Sequence, residues 1–183
     1  MTIGEKIKII RIFRNMKQLE LGIALGFSES TADNRIAQYE TNYRVPKKDV
    51  LLKIAEILDV SPSNFFVEPT GSAEDIMQTF FWLDESNRGA INLFQLTRND
   101  GKTNSSDDTS VRYNDNDNWP AKAPVGMYFK YGLVNDFMQE WLYHKEQLKA
   151  GEITNDEYFE WKLNFPSTCD DCGKSEPSKR WRK

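Results

Sequence analysis

The chain has 183 residues, 39% of them hydrophobic and 13% aromatic, with 28 acidic side chains against 24 basic ones and a net charge of −4. That is ample apolar material for a core and too much for a wholly disordered chain. No apolar run reaches the roughly 18–20 residues needed to span a bilayer, and two cysteines close together near the end make no disulfide framework. The opening run MTIGEKIKIIRIFRNMK carries a charge every few residues, unlike the unbroken apolar core of a signal peptide, so the expectation is a soluble, cytoplasmic protein. Charge is unevenly spread. Residues 1–66 hold 10 Lys+Arg and 8 Asp+Glu, a net +2, and residues 67–183 hold 14 and 20, a net −6. A slightly basic front joined to an acidic back suits a head that meets nucleic-acid phosphate and a partner domain that faces away from it.

In chain order, Ile3, Ile7, Ile10 and Phe13 recur at helical spacing between Lys6, Lys8, Arg11 and Arg14, which predicts an amphipathic first helix. A second helix begins near Gln18, carries Leu21, Ala24 and Leu25 on one face and stops at Gly26, where positive φ is cheap. A third follows the Ser28–Ser30 cluster, which can cap it, and buries Ile36 and Tyr39. The run VPKKDVLLKIAEILDVSP predicts a fourth helix, with Pro46 near its start and Leu51, Leu52, Ile54, Ala55 and Leu58 as its apolar face. SPSNFF predicts a short fifth helix, capped by Ser61 with Pro62 in its first turn.

Five short helices with a tight Gly turn between the second and third resemble the lambda-repressor-like (Xre/Cro) helix-turn-helix family. The residues that carry the resemblance are GEKIKIIRIFRNM, QLELGIALGF, RIAQYE and PKKDVLLKIAEILDVSPSNFF, about a third of the chain. Gln18, Gly22 and Gly26 occupy the family's positions for the Gln that opens the second helix, the small residue four places on, and the turn Gly. From Ser28 to Glu40 the chain has about four residues more than the family's usual run, close to one helical turn. One reading is a recognition helix extended at its N-terminal end; the other is a longer turn before a helix of ordinary length. A subgroup of the family carries a similar SE-x-TAD-x-RIAQYE run.

The N-terminal part of a recognition helix meets base edges in the major groove. Thr31, Asp33, Asn34, Arg35 and Gln38 are the candidates for base contacts. Arg pairs bidentately with guanine, Asn or Gln with adenine, and Asp accepts from cytosine, although Asp33 also stands where it can hold Arg35. Ser30, Arg44 and Lys47 suit phosphate contacts, which fix register, and the resemblance implies the same role for Gln18.

In the back half, Pro69–Ser72 reads as a linker and cap before a helix, SAEDIMQTFFWLDES, with Ile76, Phe80 and Leu83 on one face and Phe81 and Trp82 beside them. GAINLFQLTR alternates like a strand, with Ile91, Leu93 and Phe94 inward. Residues 99–118 read as a mobile loop in which SVRY pairs as a short strand. The DNDN within it lacks the Gly and Glu of a calcium loop. A long amphipathic helix runs from Tyr128 to Leu148, with Val134, Phe137, Met138, Trp141 and Leu142 on its apolar side. Gly151 stops it, and a Thr154–Glu157 capping box opens a last helix ended by Pro166. KEQLKAGEITNDEYFEWKLNF is similar to the SHOCT type of short C-terminal helical motif, associated with oligomerisation. Trp82, Trp119, Trp141 and Trp161 suit a core, an interface or a ligand pocket.

CDDCGK has the shape of half a zinc site, but structural zinc takes four ligands. Beyond Cys169 and Cys172 the chain offers one histidine, His144, and no second CxxC. The expectation is no metal and no cofactor, with a reduced, disordered tail that ends in the cationic KRWRK; zinc held by Cys169 and Cys172 across a dimer is the lesser alternative. No nucleophile–base pair or Gly-rich phosphate loop stands out, so no enzyme is expected. The fold expected is mainly α: a five-helix head over 1–68, a small, mostly helical α+β dimerisation or regulatory domain over 69–166, and a polar tail over 167–183. The function expected is a transcriptional regulator, a repressor or autoregulator, that binds palindromic double-stranded DNA as a homodimer through its C-terminal helices. The alternatives are a protein-interaction module of antitoxin or mobile-element accessory type, and a regulator that senses a small molecule.

Overall fold

The computed structural model describes residues 1–66, 72–87, 91–94, 96–98, 109–111, 126–127 and 132–170. Within these, seven α-helices and one two-stranded sheet follow one another: α1 (Ile3–Phe13), α2 (Gln18–Ala24), α3 (Glu29–Glu40), α4 (Lys48–Ile57), α5 (Ala73–Ser86), β1 (Leu96–Arg98), β2 (Thr109–Val111), α6 (Gly132–Ala150) and α7 (Asn155–Leu163). The fold is mainly α. The expected fifth helix of the head is a single 3-10 turn, Pro62–Asn64.

Local chemistry explains most boundaries. Thr2 and Glu5 form a reciprocal capping box at the start of α1, and Thr154 and Glu157 do the same for α7; each satisfies two backbone N–H groups that lack intrahelical acceptors. Ser72 Oγ accepts from the Asp75 N–H and caps α5. Gly26, at φ +88°, makes the turn out of α2, and Gly151, at +75°, ends α6. Two expected caps are absent. Ser28 stands at the N-cap of α3 without accepting from a backbone N–H of its first turn, because its hydroxyl pairs with the Thr31 side chain, Oγ1, at 2.8 Å. Ser61 likewise turns its hydroxyl to Ser63, 2.7 Å away.

Two apolar clusters fill the interior. The first gathers Ile7, Ile10, Leu21, Ile36, Tyr39, Leu51, Ile54, Leu58 and Phe65 from the front of the chain and is completed by Trp82 of α5 and Leu163 of α7. The second gathers Met77, Phe81, Phe137, Trp141, Tyr158, Trp161 and Phe165. Phe81 is its hub, with edge-on contacts to Trp141, Trp161 and Phe165 at 5.1–5.3 Å between ring centroids; such pairs are worth about 0.5–1.5 kcal/mol each beyond area burial. Trp141 Nε1 donates to the Tyr158 hydroxyl at 2.6 Å, and burial pushes that phenol's pKa up. Burial also works to raise the pKa of Glu140 beneath this cluster, but hydrogen bonds from His144, Cys169 and the Asp170 N–H outweigh it, and the net direction is down.

Some faces differ from expectation. Leu52 of α4 and Leu83 of α5 are 44% and 49% exposed, and Ala24 of α2 is exposed. On α5 the buried apolar residues are Met77, Phe81 and Trp82, while Ile76 and Phe80 are half-buried and Leu83 is exposed. The near-continuous apolar run from Ile76 to Leu83 offers several overlapping stripes, and the partners on two sides choose: Phe81 reaches the second cluster while Trp82 reaches the first. Ile91 and Leu93 pack against the second cluster as irregular backbone. The strand lies later, at Leu96–Arg98, paired antiparallel with Thr109–Val111 so that Thr97 faces Ser110. The rest of the predicted loop, Trp119 and Tyr128 lie outside the described residues, as does the tail from residue 171.

Polar contacts join front and back. The Leu163 carbonyl accepts from Asn64 Nδ2 at 2.7 Å and from the Ser61 N–H at 3.0 Å. Arg14 donates to Leu58 O at 2.7 Å, to Asp59 O at 2.8 Å and to both carboxylate oxygens of Glu160, and Phe13 meets Phe159 edge-on at 4.9 Å. Lys6 is buried here, its ammonium 3.0 Å from Asn64 O and 4.9 Å from the centre of the Trp82 ring. Desolvation lowers its pKa from 10.5 to about 8. A lysine whose folded pKa lies below its unfolded value makes the unfolded state the stronger proton binder between the two, so stability rises with pH from about 8 upward. Urea midpoints measured from pH 8 to 9.5 are expected to increase, and Lys6→Met removes that slope; an unchanged slope in the variant locates the effect elsewhere.

Candidate nucleic-acid interface

The helix-turn-helix is built by α2 and α3. Only the two residues Gly26 and Phe27 separate the C-cap of α2 at Leu25 from the N-cap of α3 at Ser28. The turn is therefore short, and the surplus residues lie in the helix: α3 runs for 12 residues from Glu29. Its added first turn lies against α2. A Cβ placed on Gly22 stands 2.6 Å from Ala32 O and 2.7 Å from Ala32 Cβ, so the backbones approach too closely for any side chain there. Ala32, Ile36 and Tyr39 form the buried side of α3.

The other end of α3 is fixed by polar bonds. The Glu40 carboxylate accepts from Arg11 Nε at 2.5 Å, from Arg11 Nη2 at 3.0 Å and from Gln18 Nε2 at 2.7 Å. Arg11 Nη1 also donates to Met16 O at 2.6 Å. Asn42, at φ +58°, accepts from the Gly4 N–H at 3.0 Å and donates to Thr2 Oγ1 at 2.7 Å. Gly4 packs directly beneath the carbonyls of Tyr39 and Glu40. The helix is thus seated on α2 at one end and on α1 at the other.

Thr31, Asn34, Arg35 and Gln38 are spaced i, i+3, i+4 and i+7, one stripe of a helix. Thr31, Asp33, Asn34 and Arg35 are exposed and Gln38 is half-buried. Arg35 lies over the Phe27 ring at 5.5 Å, Thr31 is tied to Ser28, and Asp33 Oδ1 accepts from the Asn34 N–H at 2.7 Å. Of the residues expected to meet phosphate, Ser30, Arg44 and Lys47 are exposed, the last two in the segment after α3. Gln18 differs: its carboxamide is half-buried and points inward to Glu40. Sequence reading passed over Tyr43 and Val45, which flank Arg44 and are 79% and 69% exposed. A large apolar side chain on either side of a cation, in a segment rich in turn residues, is the signal that marks them.

Lys6 and Arg11 are buried and Arg14 is half-buried, so the front's basic surface rests on Lys8, Lys17, Arg35, Arg44, Lys47, Lys48 and Lys53. Glu29 and Asp33 place negative charge on the exposed side of α3 itself. In the back half Trp82, Trp141 and Trp161 are buried in the clusters described above. A cleft of about 350 Å³ between the end of α1 and the start of α7 is lined by Phe13, Arg14, Asp156 and Glu160 among others, and by none of these tryptophans. No helix among the described residues is long and apolar enough to cross a membrane.

Residues 7–65 match the helix-turn-helix family model. No curated protein and no solved structure matches the chain. The matched segment runs from within α1 to just past the 3-10 turn and supports a DNA-binding helix-turn-helix of the Xre transcription-regulator type in the front of the chain.

Proposed function

We propose that the protein is a transcriptional regulator, a repressor or autoregulator, that binds a palindromic operator as a homodimer. The observation that carries this reading is the polar stripe Thr31–Asn34–Arg35–Gln38 on a helix anchored at both ends. Arg35 is read as the guanine contact and Asn34 or Gln38 as adenine contacts, with Asp33 beside them. Ser30, Arg44 and Lys47 fix register on phosphate. The added turn of α3 enlarges the set of side chains that can reach bases, in keeping with a family subgroup that carries the SE-x-TAD-x-RIAQYE run.

Dimerisation through the C-terminal helices follows from half-site logic, since one such module covers one half-site. The exposed Leu83 of α5 and Leu133 of α6 support a contact there, as does the SHOCT-like helix pair α6–α7. Binding to a palindrome from the protein's own promoter is expected to be salt-dependent, and Arg35→Ala with Gln38→Ala reduces preference over random DNA by tenfold or more while non-specific affinity changes less. A wild-type protein with no preference over random DNA sinks the regulator reading. In sedimentation the full chain is a dimer, and Leu83→Glu with Leu133→Glu shifts it to monomer; a dimer that persists puts the interface elsewhere. The same exposed leucines suit the second reading, a protein-interaction module, which stoichiometric co-purification of a partner protein favours.

A further inference from the structure

The single histidine of the chain is not isolated. His144 is fully buried on α6, one turn after Glu140 on the same face. The segment that follows α7 folds back onto this pair. Thr168 Oγ1 donates to Trp161 O at 2.7 Å, the Asp170 N–H donates to Glu140 Oε1 at 3.1 Å, and Cys169 Sγ stands 2.7 Å from Glu140 Oε2. Ligand atoms of Glu140, His144 and Asp170 all lie within 4.8 Å of one another, and all three residues are buried. Two carboxylates and an imidazole thus converge from two separate parts of the chain, with the Cys169 thiol against one of the carboxylates.

We propose that Glu140, His144, Cys169 and Asp170 form a zinc site that fastens the segment after α7 to α6. A mixed N, S and O donor set suits zinc, a borderline-soft ion, better than magnesium or calcium, which take oxygen alone. Donors each about 2.0–2.3 Å from one ion sit roughly 3–4 Å apart, close to the spacing of the Glu140, His144 and Asp170 atoms, and the Cys169 thiol against Glu140 is the fourth donor. His144 Nε2 already lies 3.7 Å from Glu140 Oε1.

The surroundings have the form of a ligand support. His144 Nδ1 is 2.9 Å from Gln147 Oε1. The amide nitrogen of Gln147 faces the Tyr143 hydroxyl at 3.2 Å and Glu152 at 3.5 Å. Its oxygen is therefore the acceptor, and the imidazole proton resides on Nδ1. Nε2 faces Glu140, and a metal that takes its lone pair displaces any proton it shares with that carboxylate, leaving the arrangement in which a ligating histidine donates its other ring N–H to an oxygen. Trp161 Nε1 donates to Glu140 Oε1 at 3.3 Å and orients the carboxylate. The thiol loses its proton on coordination, and a divalent ion offsets the negative charge collected in the cluster.

The test uses the full chain, purified under reducing conditions and stripped with a chelator. Expected are uptake of one zinc per chain, a zinc-dependent rise in Tm, and, with cobalt(II) in place of zinc, tetrahedral ligand-field bands with a thiolate-to-metal charge-transfer band. Cys169→Ser removes the charge-transfer band and Cys172→Ser keeps it. His144→Gln abolishes binding, and Gln147→Leu weakens it by about 10–100-fold. A folded wild-type protein that takes up no stoichiometric zinc at micromolar concentration overturns the proposal, whatever the variants do. So does a charge-transfer band that depends on Cys172 and not on Cys169.

Discussion

Glu40→Ala is expected to lower the unfolding free energy by about 3–5 kcal/mol, the range for removing one partner of a buried ion pair. Both side chains are largely out of solvent, 10% exposed for Arg11 and 3% for Glu40. The substitution leaves the Arg11 guanidinium buried without its carboxylate, and Gln18 loses its acceptor in the same step. Three helices meet at this carboxylate: α1 through Arg11, α2 through Gln18 and α3 through Glu40 itself. Urea unfolding followed by circular dichroism measures the loss. Arg11→Met combined with Glu40→Leu removes both charges and should lose much less than the single change, because apolar replacements leave no stranded ion. A Glu40→Ala loss under about 1 kcal/mol would mean that water or another group satisfies Arg11 and that the pair does not clamp the helix.

Gly22→Ala is the second large effect, and it separates packing from propensity. In an exposed helix the change would gain about 1 kcal/mol. Here the new methyl meets the backbone of Ala32 at 2.6–2.7 Å, a contact that no rotamer relieves, and overpacking of this kind costs about 1–3 kcal/mol or more. The expected net result is destabilisation, with α3 pushed away from α2 at the end that carries Thr31 and Asn34. Operator affinity should therefore fall even at temperatures where the variant is folded. Ala32→Gly in the Gly22→Ala background removes the side-chain part of the clash and should recover part of the loss. A Gly22→Ala protein as stable as wild type, or more so, would show that the two helices do not pack this closely.

Local patterns were legible and distant pairings were not. The 3.6-residue spacing of Ile3, Ile7 and Ile10, the turn at Gly26 and the Thr154–Glu157 box depend on neighbours within a few positions, so α1, the helix-turn-helix and α7 could be read off. The stripe from Thr31 to Gln38 was legible for the same reason. The inward turn of Gln18 was not, because its acceptor lies 22 residues away. The face of α5 was misread because Ile76–Leu83 is apolar nearly throughout, and only contacts with two clusters decide which side is buried. Arg14 and Glu160, 146 positions apart, leave no trace in either segment. The CxxC offers only two ligands, and the surroundings of His144 involve Asp170, 26 positions away, which leaves no local pattern. The clue was the i, i+4 spacing of Glu140 and His144, which puts both on one face of a helix.

Leu163 and Trp82 sit in the same apolar cluster as Ile7, Ile10 and Leu58. A helix-turn-helix front whose interior is completed by two side chains from the back should not melt by itself. Amides of α1 and α4 should exchange with solvent at a rate set by the attachment of α7, and whatever tightens α7 should slow exchange in the front. Linkage makes the traffic two-way: operator bound at α3 would steady α7 by as much free energy as a stabilised α7 lends to operator binding.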